Sequence, residues 1–114
     1  MNEEERLEAL RRMSKSAFGQ SYRLELMLSI ADSEDGFCTL TNLSKTLDVT
    51  MSSLQRPFQA LVELQLLSPM PDADSKYHHF VRNPSAAWDW AQELARSVDF
   101  ASEIDTLESR KNES

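Results

Sequence analysis

The residues of this sequence with the most chemistry in them lie between positions 50 and 59. Ser52, Ser53, Gln55, Arg56 and Gln59 bring hydroxyls, carboxamides and one guanidinium to what reads as a single helix. An exposed face built this way departs from the Glu- and Lys-rich faces that merely solvate a helix. Ser52 and Ser53 fall in its first turn, where free backbone N–H groups and hydroxyls can together take a phosphate. The chemistry on offer is hydrogen bonding rather than bond cleavage.

The other reactive side chains do not assemble into a catalytic set. His78 and His79 are neighbours in an extended stretch, so they point to opposite faces and cannot chelate one ion together. Cys38 is the one cysteine, which excludes a disulfide framework within the chain and a multi-thiolate metal site. It stands between apolar neighbours and reads as a small buried hydrophobe. No Gly-rich phosphate loop is present, and no nucleophile accompanies either histidine. The expectation is no enzyme, no metal and no cofactor.

The elements that must position the 50–59 face follow from apolar spacing. A first helix over 3–16 carries Leu7, Leu10 and Met13 at helical intervals, with Asn2 as its N-cap. A second, over 20–32, is apolar on nearly all sides and is therefore central. Ser33 to Gly36 form a turn, and 37–40 a short strand. Thr41 reads as the N-cap of a short helix with Leu43 and Leu47 on one face. Asp48-Val49 make a tight turn with Val49 plugging the space between two helices. Thr50 caps the longer one, over about 51–66, with Leu54, Phe58, Leu61 and Val62 inward. Pro57 removes one backbone bond inside that helix, which predicts a kink near Ser53 rather than a break. A hairpin follows, 67–70 against 76–82, with Lys76, His78 and Arg82 on one side and Tyr77, His79 and Val81 on the other. Asn83 as N-cap and Pro84 at the first helical position open a last helix over 83–107. The tail, 108–114, is polar and expected to fray.

At 114 residues the chain fits one domain, with 40% hydrophobic and 27% charged residues. No apolar run approaches the roughly 20 residues that span a bilayer. The acidic start, Met1-Asn2-Glu3-Glu4-Glu5, does not read as a signal or transit peptide. A cytoplasmic location is expected. The formal net charge is −7, unevenly spread: residues 1–40 carry −3, residues 83–114 carry −4, and the middle is neutral. A nucleic-acid surface would therefore sit in the middle. On the plainest reading the acidic ends are solvated helix faces.

This order of elements resembles the winged helix-turn-helix fold of MarR- and ArsR-like bacterial transcription regulators, over about residues 22–90. The most specific part is 40–67, where Leu43, Leu47, Val49, Leu54 and Leu61 match core positions of such proteins. The implied fold is mainly α with a small β wing, and extra N- and C-terminal helices forming a dimer interface. The implied parts are an N-terminal dimerisation helix (1–18), a winged-helix core (20–82), and a C-terminal helix (83–107) with its tail. Where the family commonly has Gly in the turn this chain has Asp48, which tolerates the left-handed conformation.

The resemblance implies a homodimeric, sequence-specific regulator of double-stranded DNA. Its recognition helix would enter the major groove, and its wing, 68–82, would lie on the backbone or minor groove. Contacts carried over by position are Thr41, Asn42, Lys45, Thr50, Met51, Ser52, Ser53, Gln55, Arg56 and Gln59, with Lys76, His78 and Arg82 from the wing. Arg56 can fork onto guanine, Gln55 or Gln59 can pair with adenine, and Met51 can meet a thymine methyl. The dimer interface would use Leu7, Leu10, Met13, Trp90, Leu94, Val98, Ala101 and Ile104. An effector, if the protein has one, would bind near Tyr22, Trp88 and Trp90. A dimer offering about eight cations from Lys45, Arg56, Lys76 and Arg82 predicts a log K against log salt slope of roughly −4 to −7. The alternative is an acidic winged-helix module, an accessory factor or antirepressor, that binds protein and no DNA by itself.

Overall fold

A computed structural model describes residues 1–71 and 78–112, with side chains through 104. Five helices and three short strands follow one another: α1 (Glu3–Phe18), α2 (Arg23–Asp32), β1 (Phe37–Cys38), α3 (Leu40–Leu47), α4 (Met51–Glu63), β2 (Leu67–Pro69), β3 (Phe80–Arg82) and α5 (Ala86–Asn112).

Local chemistry sets the helix ends. The Asn2 side chain accepts from Glu5 N–H at 2.8 Å, and Glu3, Glu4 and Glu5 sit at the positive end of the α1 dipole. Gly19 closes α1 at φ 73°, a left-handed position that favours glycine. α2 begins at Arg23, later than the apolar run, because Ser14 intervenes. The buried Ser14 hydroxyl donates to Gln20 O and accepts from Leu24 N–H, so α1 caps its neighbour. Thr39, not Thr41, caps α3, accepting from Asn42 N–H at 3.1 Å.

α2 is central, as its all-round apolarity requires, and packs on α1, α3, α4 and α5. Leu24, Leu26, Met27, Ile30, Leu54, Leu61 and Leu67 form the least accessible part of the core. Fully burying each such side chain contributes about 1.5–3 kcal/mol. The α2 carboxylate of Glu25 is also buried, and Arg11 of α1 meets it at 2.7 Å. Cys38 belongs to the same core, and burial pushes its thiol up to about 11.

α4 runs through the buried Pro57 as one helix. It ends where Leu66 N–H reaches Leu61 O and Gln65 N–H reaches Val62 O, with Gln65 left-handed at φ 63°. The antiparallel sheet has the order β1-β3-β2. Pro69, opposite Phe80, lies on the outer strand β2, where a missing N–H is tolerated. Phe80 meets Phe58 edge-on at 4.9 Å, fastening the wing base to α4. α5 starts at Ala86 rather than Asn83, with the Ser85 hydroxyl accepting from Ala87 N–H. Its 27 residues make a rod of about 40 Å in a molecule 65 Å long.

Candidate nucleic-acid interface

The turn between α3 and α4 fixes how α4 is presented. Asp48 adopts φ 53° and ψ 47°, and Val49 N–H bonds Ser44 O at 3.1 Å. The Ser44 hydroxyl donates to Val49 O, and Val49 is buried between the helices. Thr50 then caps α4, accepting from Ser53 N–H at 3.3 Å and donating to the Ser53 hydroxyl at 2.8 Å.

This geometry leaves one side of α4 open. Met51, Ser52, Gln55, Arg56 and Gln59 are exposed, while Ser53 is half-buried. Ser52, Gln55, Arg56 and Gln59 share a shallow groove with Ala60 and Glu63. Gln55 and Gln59 also line a cleft of about 330 Å³ with Met51, His78 and Thr41. Thr41 continues into a recess holding Asn42, Lys45 and His79. The expected contacts Thr41, Asn42, Lys45, Met51, Ser52, Gln55, Arg56, Gln59 and His78 thus line adjoining recesses, while Thr50 and Ser53 are engaged with each other in the α4 cap. Lys76 falls outside the described residues.

Arg82 is corrected. Its guanidinium Nη1 donates to the carbonyls of Ile30 at 2.7 Å, Ala31 at 3.0 Å and Ser33 at 2.9 Å. A cation there neutralises the negative end of the α2 dipole. The alternation 76/78/82 against 77/79/81 omitted Phe80, which shares the Arg82 face and turns it toward the body. Gly36, at φ 75°, lets the β1 turn pass beneath Arg82: a Cβ there would stand 3.3 Å from the Arg82 Cβ. On the open surface the described cations are Lys45 and Arg56, both exposed. Glu63 was not anticipated. It lies one helical turn beyond Gln59 and Ala60 on the same face, a spacing that 3.6 residues per turn could have revealed.

The terminal helices sort into two groups. Leu10 and Val98 are corrected: both lie in the protomer's own core with Trp88, Ala91 and Ala95. Met13 and Leu94 are partly buried against that core. Trp90, Ala101 and Ile104 are exposed, and Leu7 is half-buried in a groove with Leu28 and Leu47. Ala87, Trp90, Leu94, Ser97, Ala101 and Ile104 alternate by three and four residues along α5, the repeat of a coiled-coil seam.

The aromatic residues near α2 have partners within the chain. The Trp90 ring meets Phe18 edge-on at 5.2 Å, and Arg23 covers the other ring at 4.8 Å. Arg23 Nε is buried without a hydrogen-bond partner among the described residues, and desolvation lowers its pKa. Arg11 covers Tyr22 at 4.9 Å, and Trp88 Nε1 donates to Asn83 O at 2.8 Å.

No protein-family model matches the sequence, and comparison with curated proteins gives no match. Solved structures do match. A MarR-family transcriptional regulator from Silicibacter pomeroyi superposes with a TM-score of 0.66 at 20% identity, over 96% of this chain and 80% of that one. MarR from E. coli in its apo form gives 0.60 at 18% identity, over 96% and 88%. BpsR from Bordetella bronchiseptica, whose DNA binding is regulated by 6-hydroxynicotinic acid, gives 0.65 at 10% identity, over 97% and 87%. At these identities the likeness speaks for architecture. The chain has the winged helix-turn-helix fold of the MarR-like regulators.

Proposed function

We propose that the protein is a sequence-specific regulator of transcription that binds double-stranded DNA as a homodimer. α4 lies in the major groove, and the wing touches the backbone or minor groove. The observation that carries this reading is the open face of α4: Gln55, Arg56 and Gln59 have no partner among the described residues. Arg56 offers a two-pronged donor for guanine, and either glutamine offers a donor–acceptor pair for adenine. The exposed part of the α5 seam supports pairing with a second copy. A two-fold dimer would space its two α4 helices about one DNA turn apart. The reading places the protein in the cytoplasm, with no enzymatic step.

The test is selection of bound fragments from a library of the source genome at low salt, with wild type beside Arg56→Ala. Recovery of one inverted-repeat sequence by the wild type alone is expected. No enrichment over background would sink the reading.

A second reading has its own observation. The open surface offers two described cations, Lys45 and Arg56, on a chain of net charge −7, and includes Glu63. That sparseness favours an acidic winged-helix module that binds protein. Arg56→Ala would leave partner binding largely intact in that case.

A further inference from the structure

We infer that Asn83 is the positioning residue that fixes the angle between α4 and α5, and so sets the distance between half-sites that a dimer accepts. This rests on the DNA-binding homodimer proposed above. Asn83 stands where three elements meet. Its Nδ2 donates to Gln65 O at 2.7 Å and to the Ser68 hydroxyl at 2.8 Å. Its backbone N–H donates to Leu66 O at 2.9 Å, and its carbonyl accepts from Trp88 Nε1 at 2.8 Å. The first contact holds the end of α4, the second the start of the wing, the last the first turn of α5. Trp88 is buried, so the α5 end of this linkage is anchored in the core.

Gln65 gives the arrangement its direction. It is the left-handed residue that closes α4, a conformation strained for a glutamine side chain. Without a restraint on its carbonyl the turn can relax, and the end of α4 turns with it. Asn83 supplies that restraint from the link between β3 and α5. If α5 pairs with its copy, the linkage carries the orientation of the pair to each α4.

The test uses duplexes carrying the selected half-site as an inverted repeat, with the spacer varied one base pair at a time. Each added pair rotates one half-site by about 35° relative to the other. The wild type should show one optimum, falling about tenfold to either side. Asn83→Ala should flatten the profile to within about threefold, with affinity for a single half-site unchanged. Gln65→Gly in the Asn83→Ala background should restore the optimum, because glycine relieves the strain that Asn83 restrains. A merely structural role would instead weaken half-site and full-site binding together. Should Asn83→Ala not fold, Trp88→Phe carries the test by removing the indole donor from the α5 end of the linkage, with the same flattening expected beyond the uniform loss that its smaller ring causes in the core.

A readout without DNA accompanies it. Spin labels at Gln59→Cys and Glu93→Cys, in a Cys38→Ser background and diluted with unlabelled protein, report the α4–α5 distance within one protomer. Asn83→Ala should broaden that distribution. An unbroadened distance or an unchanged spacing profile overturns the assignment. A wild type that binds no DNA overturns the reading beneath it, and the spacing role with it, whatever the label distance shows.

Discussion

Arg82 Nη1 lies 2.7 Å from the carbonyl oxygen of Ile30, bringing together residues 52 positions apart. The same nitrogen reaches Ala31 O and Ser33 O, so β3 is latched to the end of the central helix. Hydrogen bonds to a charged group contribute about 1.5–3 kcal/mol each and do not add fully when they share a donor. Arg82→Ala should therefore lower unfolding stability by about 2–4 kcal/mol in urea titration, with Arg82→Lys recovering part of it. Single-half-site DNA affinity of the folded Arg82→Lys protein should match wild type. A large loss there would return Arg82 to the DNA surface.

Withdrawing Arg82 changes the expected salt dependence. Lys45 and Arg56 remain, with Lys76 as a third cation of the middle segment. A dimer then brings four to six cations to phosphates, and log K should fall with log salt at a slope of about −4 to −5. Titration of the selected site from low to high salt measures it. A slope steeper than about −7 would require cations from elsewhere on the chain.

The two groups of terminal-helix residues should answer mutation differently. Leu10→Ala removes a core side chain and should cost about 2–5 kcal/mol of stability in each folded chain. Trp90→Glu and Ile104→Glu change exposed positions of the α5 seam. They should leave secondary structure intact and shift the sedimentation profile from dimer to monomer. Monomeric wild type at micromolar concentration would remove the two-fold arrangement from the functional reading.

Cys38 gives a pH dependence whose sign is fixed by burial. Its thiol ionises at about 11 in the folded chain, against an ordinary value of 9.0. The folded state thus holds its proton more firmly than the unfolded state. Stability from this group is fully present below pH 9.0 and is lost as pH rises toward 11. Cys38→Ser should flatten that alkaline decline. At pH 8 the native thiol should resist a disulfide reagent that modifies the urea-unfolded chain at once.

Apolar spacing revealed the order of elements and most of the core, because helices declare themselves every 3.6 residues. Leu24, Leu54 and Leu61 lie where that period puts them. The caps were harder to place. Thr39 and Thr41 are chemically equal, and only the tertiary position of β1 decides that Thr39 turns first. Asn83 reads as a cap because Asn-Pro precedes a helix, yet its side chain answers to Gln65 and Ser68, both distant along the chain. The open face of α4 was legible as composition. That Arg82 points away from it was not, since a strand of three residues carries too little alternation to fix which side is inward. Leu10 and Val98 fall on apolar stripes shared with exposed neighbours, and only packing divides a stripe between core and surface.

Asp48 precedes α4 and Gln65 follows it, both in mirror-image backbone without being glycine. Gln65 raises the energy of its turn by roughly 1 kcal/mol relative to glycine, and Asp48, which tolerates this backbone, by less. Asp48 loads the end of α3 and Gln65 the end of α4, so each helix-turn-helix helix should fray first at its C-terminal turn, while Leu54 and Leu61 keep the middle of α4 in the core. Glycine at both positions should slow amide exchange in those two turns, Asp48→Gly at the end of α3 and Gln65→Gly at the end of α4. The native pair leaves both helices of the turn softest where they end, next to the face that α4 presents outward.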